Sequence, residues 1–125
     1  MKGDPGTNYT IAEGISALSR GADTYYTASV NHALAPAASF HVNCGEWATS
    51  FIATLQHSAN DSDFTDEADT SYGNTVSQTF IAADADNIHC PNPRRQYTRV
   101  KVVTGGTCVF GVTNVSGPLR TVDQG

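Results

Sequence analysis

The stretch Ser39-Phe40-His41-Val42-Asn43-Cys44, with its sequel Ser50-Phe51-Ile52-Ala53-Thr54-Leu55-Gln56, decides how the chain is read. Phe40, Val42 and Cys44 share one parity, and so do Phe51, Ala53 and Leu55. Ser39, His41, Asn43, Ser50, Thr54 and Gln56 take the other. Successive side chains of a strand point to opposite sides of a sheet, so both stretches are strands with one buried and one solvated face.

Similar β-prone runs recur outward from these two, at residues 25–31, 76–82, 87–90, 97–104 and 108–115, with a weaker one near Phe64. Turn residues separate them at intervals of roughly eight to twelve positions, the pattern of a sandwich or barrel. With 125 residues the chain is the size of one domain with one core. The expected fold is therefore all-β: an antiparallel β-sandwich of about eight strands. Its core is expected to hold Phe40, Val42, Phe51, Leu55, Phe80, Val100, Val102, Phe110 and Val112. The sandwich is assigned to residues 23–120 and a C-terminal tail to 121–125. Residues 1–22, rich in Gly, Asn and Ser with scattered Ile11, Ile15 and Leu18, read as an extended N-terminal arm with at most one short strand.

The last two runs pose a question of register. A two-residue turn at Gly105-Gly106 would pair Thr104 with Thr107 and set Lys101 opposite Phe110, mixing charge into the apolar face. A three-residue loop with a left-handed glycine shifts the pairing by one and gathers Val100, Val102, Cys108, Phe110 and Val112 on one face, so a hairpin with an odd-length loop is expected. Pro91-Asn92-Pro93 cannot continue a ladder, because proline has no amide donor, and reads as a surface connection.

Composition narrows the function classes. Charged residues make up 15% of the chain, the net charge is −5, and polarity comes from 15 Thr, 10 Ser and 8 Asn. An acidic chain with two lysines is a poor counterion for nucleic acid, so no nucleic-acid partner is expected. The N-terminal residues lack the charged start and apolar run of a signal peptide, and no run approaches the ~18 apolar residues of a membrane span. A soluble protein made in the cytoplasm, with no membrane partner, is expected. Cys44, Cys90 and Cys108 lack CxxC spacing and read as buried, reduced thiols.

No pattern supports catalysis. The acidic stretch from Asp61 to Asp69 has Asp66 and Tyr72 where a calcium loop starting at Asp61 needs Gly and Glu, and it reads as a solvated loop. His32, His41, His57 and His89 have no metal-ligand or triad spacing, and the neighbours His89 and Cys90 point to opposite sides of a strand. His57, in contrast to His41, has the parity of the buried residues of its run. Nucleophile-elbow, zinc-protease and phosphate-loop motifs are missing. Neither an enzyme nor a cofactor or metal is expected. The chain has a single Trp, Trp47, and the adjacent Tyr25 and Tyr26 do not make one stacking platform for a sugar, because strand neighbours face opposite ways.

Three segments carry a resemblance: Ser19-Arg20-Gly21-Ala22-Asp23-Thr24-Tyr25-Tyr26; Leu55-Gln56-His57-Ser58-Ala59-Asn60-Asp61-Ser62-Asp63-Phe64; and Pro91-Asn92-Pro93-Arg94-Arg95-Gln96-Tyr97-Thr98-Arg99-Val100-Lys101-Val102. The chain resembles, over residues 19–120, a family of small tailed-bacteriophage virion proteins, in which these segments read like "SRGAGTYNGAAID", "LQESDDGSTW" and "RYVRVVV". The resemblance implies a head decoration or cement protein of sandwich or jelly-roll type, located on the capsid exterior of the virion, that clamps neighbouring subunits of the major capsid protein and has no catalytic residues. A homo-oligomer, trimer or dimer, is expected. The acid of "YNGAAID" and the glycine of "DDGS" are lost here.

The expected partner contacts are the arm residues Ile11, Ile15 and Leu18, too few for a core of their own, and Arg94 and Arg95 on the proline-stiffened turn. Adjacent guanidinium groups on such a turn can donate forked hydrogen bonds to carboxylates of a neighbour. The alternative is a carbohydrate-binding or adhesion module of a phage tail or receptor-binding apparatus.

Overall fold

A computed structural model describes residues 10–46 and 50–117. The alternation around Phe40 is realised in strand β4 (Ala37–Glu46), an interior strand of a four-stranded antiparallel sheet. Its neighbours there are β8 (Asp84–Cys90) on one side and β10 (Cys108–Gly117) on the other, and β1 (Thr10–Arg20) closes the far edge beyond β10. The alternation around Phe51 is realised in β5 (Phe51–Ser58), which pairs along its full length with β9 (Tyr97–Thr104) in a second sheet. Four short strands complete that sheet. β2 (Thr24–Tyr26) and β3 (Val30–Asn31) share the free side of β9, while β6 (Thr65–Asp66) and β7 (Ser77–Phe80) share the free side of β5.

Two antiparallel sheets with one apolar face each bury those faces against one another, giving a sandwich. All nine expected core residues are buried between them. Phe110 of β10 meets Phe51 of β5 edge-to-face at 5.1 Å and Tyr25 of β2 at 5.4 Å, and Phe51 meets Phe80 at 5.0 Å. Such tilted ring pairs add about 0.5 to 1.5 kcal/mol each beyond the area they bury. Cys44, Cys90 and Cys108 are buried, reduced thiols in the same core.

Two expectations are corrected by the topology. Residues 97–104 and 108–115 do not form a hairpin: β9 pairs with β5, β2 and β3, whereas β10 pairs with β1 and β4. Val100 and Val102 therefore face Cys108, Phe110 and Val112 across the core instead of lying beside them. Alternation along a strand is the same whether its apolar face meets a neighbour in the same sheet or a second sheet, so the expected residues are buried while the pairing differs. The arm is the second correction. Residues 10–20 form an 11-residue strand of the four-stranded sheet. β1 pairs with β10 from Thr10↔Ser116 to Arg20↔Cys108, with register shifts around Ile15. Each shift lets the strand bend with the sheet. Gly14 sits at the first of them, where a Cβ would stand 3.1 Å from Thr27 Cβ, so the edge of one sheet is laid closely over the β2–β3 junction of the other. Residues 1–9, the expected tail at 121–125, Trp47 and the side chain of Ile11 lie outside the described residues.

Candidate functional site

The connections at one end of the six-stranded sheet converge on Glu67. β6 is held by the pairs Gln56↔Asp66 and His57↔Thr65, and the Glu67 amide then donates to Leu55 O at 2.9 Å, which turns the Glu67 side chain inward. It is 3% exposed. A buried carboxylate must be paired to be tolerated. Glu67 Oε1 accepts from Arg94 Nη1 at 2.9 Å and from the Asp69 amide at 3.0 Å, and Oε2 lies 3.3 Å from His57 Nδ1. Burial pushes the Glu67 carboxyl up, but the Asp69 amide, Arg94 and the facing His57 outweigh it, and the net displacement is downward. Burial in turn lowers His57, against the pull of Glu67 and with the help of Arg95 and Arg94. The Cys90 thiol is pushed up to about 12 by burial and then by Glu67.

Arg94 is thus anchored from below, and its guanidinium lies 5.1 Å from the centre of the Tyr72 ring. Beside it runs an open groove of about 930 Å³, whose lining includes His32, Tyr72, Pro91, Asn92, Arg94 and Arg95. The groove walls are cross-braced. Asn92 N donates to Asn74 Oδ1 at 3.0 Å, Asn74 Nδ2 donates to Asn92 O at 2.7 Å, and Asn92 Nδ2 donates to Tyr72 O at 2.8 Å. On the opposite wall the His32 amide donates to Gln96 O at 2.6 Å, while its buried ring bridges Ala35 O and Thr98 Oγ1, each at 2.7 Å. Burial lowers His32 as well.

A second cationic region covers the outer face of the six-stranded sheet. Arg99 lies between the rings of Tyr26 and Phe64, 4.1 and 4.0 Å from their centres, and donates through Nε to Gln56 Oε1. Gln56 Nε2 donates to Asp66 Oδ1, and Lys101 Nζ reaches both oxygens of Asp66. The hydrogen bond from Gln56 and then the Lys101 ammonium hold the Asp66 carboxyl low.

The expected contact residues have unequal fates. Ile15 is buried in the core and is not available to a partner. Leu18, 56% exposed, is. Arg94 is bound to Glu67 instead of standing free, and Arg95 is exposed with no ion pair or hydrogen bond to the described residues. The acidic stretch divides in the same way: Asp61, Ser62 and Asp63 are exposed, as expected of a solvated loop, whereas Glu67 corrects that reading. Glu67, His57 and Asn74 could not be assembled from sequence, because the two-residue β6 has no periodicity to read and nothing distinguishes Glu67 from its acidic neighbours. Among the described residues no group of three or more His, Cys, Asp or Glu side chains is arranged to hold a metal ion, and no helix is long and apolar enough to cross a membrane.

No protein-family profile and no curated protein sequence matches the chain. Solved structures do share its fold. The PBSX exported protein XepA superposes over 98% of this chain with a TM-score of 0.65 at 12% identity, and the chain spans 41% of the XepA length. The SPBc2 prophage-derived protein YomS matches 86% of this chain and 91% of its own length, with a TM-score of 0.55 at 10% identity. A Bacillus endospore appendage protein, from a family of disulfide-linked pili, matches 93% of both chains with a TM-score of 0.50 at 9% identity. At such identities the likeness shows the fold.

Proposed function

We propose that the protein is a structural protein of a tailed-phage virion, of the decoration or cement kind, which binds the outer surface of the head as a small symmetric oligomer and bridges subunits of the major capsid protein. The observation that carries this reading is the two-sheet sandwich itself, the form implied by the three phage-like segments and shared with a prophage-derived protein over most of both chains. The strand order supports a jelly roll. With β2 and β3 taken as one strand and β6 and β7 as another, the connections cross between the sheets everywhere except after β5. Leu18 on the β1 edge and Arg95 on the braced connection are the contacts retained from sequence.

A carbohydrate-binding or adhesion module of a phage tail is the second reading, favoured by Tyr72, 48% exposed at the groove, as a ring on which a sugar could stack. Co-sedimentation of the purified protein with heads lacking it separates the two. Saturable binding in fixed proportion to capsid subunits, weakened by Leu18→Ser, supports the head assignment. No binding to heads together with retention on a host polysaccharide column establishes the second reading instead.

A further inference from the structure

The cations among the described residues differ in what holds them. Arg20 lies 5.5 and 5.6 Å from the ring centres of Tyr25 and Phe110, Arg99 is clasped by two rings, Lys101 is paired with Asp66, and Arg94 is paired with Glu67. Arg95 stands apart from all of these, exposed at the groove with its donors directed to no other described residue. Arg94 is only partly engaged. Its side chain is 37% exposed, and its contacts to Glu67 and Asp69 both use Nη1.

The groove therefore presents guanidinium N–H donors that no described acceptor takes up, on a backbone stiffened by Pro91 and Pro93 and by the reciprocal Asn74–Asn92 bonds. A site that is ordered before binding loses less freedom when its ligand arrives. Two arginines are opposed nearby by two carboxylates, Glu67 and Asp69, so the formal local charge is close to balanced. With the net local field near zero, a ligand is held by directed hydrogen bonds to the open guanidinium donors, which disfavours a polyanion that depends on net positive charge. The planar fork of a guanidinium matches a carboxylate in two parallel hydrogen bonds. Tyr72 and the prolines offer apolar flanks for the residues on either side of it.

We propose that the groove between Tyr72 and the 91–96 connection is a docking site for a peptide segment of the partner protein bearing one carboxylate, received by Arg95, with Arg94 as the second donor and Glu67 as the residue that positions Arg94. This deepens the head-binding reading and rests on it for the identity of the partner. Local charge favours a peptide carboxylate over an acidic polymer such as nucleic acid or a polyuronate.

The test uses the full chain labelled with nitrogen-15 and a capped pentapeptide, Ala-Pro-Glu-Pro-Ala, with its Gln counterpart and a trimer of galacturonic acid as the other probes. The Glu peptide is expected to shift the amides of residues 72–74 and 92–96, to bind at least tenfold more tightly than the Gln peptide, and to lose at least tenfold with Arg95→Gln. Equal binding of the two peptides, shifts elsewhere on the sandwich, or an unaffected Arg95→Gln variant overturns the site. Tighter binding of the galacturonate trimer overturns the peptide in favour of an acidic sugar. The Glu67→Gln variant is expected to keep its spectrum and weaken the Glu peptide, and a spectrum kept with binding unchanged removes Glu67 from a positioning role. Head co-sedimentation keeps the two readings apart. Heads bound equally by wild type and Arg95→Gln count against the groove alone, while a peptide response without any head binding counts against the virion reading alone.

Discussion

The outer face of the six-stranded sheet and the connection at residues 91–96 each carry two cations close in sequence, Arg99 with Lys101 and Arg94 with Arg95. On the sheet face strand periodicity puts both side chains on one side, within reach of Tyr26, Phe64, Gln56 and Asp66, and the chain satisfies them internally. On the connection no such periodicity holds. Arg94 turns down to Glu67 and Arg95 is left outward. Neighbouring residues of one type thus acquire different tasks from the backbone that carries them, and the cation without an internal partner is the one to examine for binding.

The largest effect should come from the buried end of this contrast. Glu67→Ala is expected to lower stability in urea unfolding by about 2 to 3 kcal/mol, because charged hydrogen bonds are lost in a buried place. The value stays below that for a fully buried pair because Arg94 can turn to water. If Glu67→Ala is neutral, the difference between the two regions disappears. Arg99→Ala removes a double ring contact and a hydrogen bond to Gln56, for an expected loss of about 1 to 2 kcal/mol.

Acid should act in two stages. Burial lowers His32 and His57 in the folded protein, so the unfolded chain binds their protons more readily. Their contribution is complete above pH 6.5, the ordinary histidine value, and declines as pH falls through it toward the folded values. Glu67 and Asp66 are held low, so they stabilise above the ordinary carboxylate values of 4.5 and 3.8 and lose that contribution below them. Tm followed against pH should therefore begin to fall near 6.5 and fall further below 4.5, and a flat profile across the first range would show that the histidines are not held neutral.

Lys101→Ala, at a partly exposed pair, should cost about 0.5 kcal/mol and less in salt. Smallest of all, Arg95→Ala should leave stability within about 0.5 kcal/mol of wild type. A larger loss would mean that Arg95 has an internal partner after all, and the contrast with Arg94 would be lost.

The sequence by itself determined which residues are interior. Parity along residues 39–44, 51–55, 100–102 and 108–112 selects buried side chains whatever strand lies next to them, because the alternation belongs to the extended backbone. It also determined that Pro91-Asn92-Pro93 is a connection, since a missing amide donor is a local property. Only the tertiary structure decided the rest. Val100 and Phe110 could meet as sheet neighbours or across a core, and both arrangements satisfy the same pattern; pairing is a long-range choice that local alternation does not encode. Ile11, Ile15 and Leu18 are too sparse for a clean strand signal, and β1 is held by its long partner β10 and accommodated by bulges no propensity announces. Glu67 is acidic among acidic residues, and it became a buried anchor because β6 delivers it beneath Arg94, a residue 27 positions away in sequence. A side chain's partner is set by where distant segments cross, and that crossing is a property of the packed sheets.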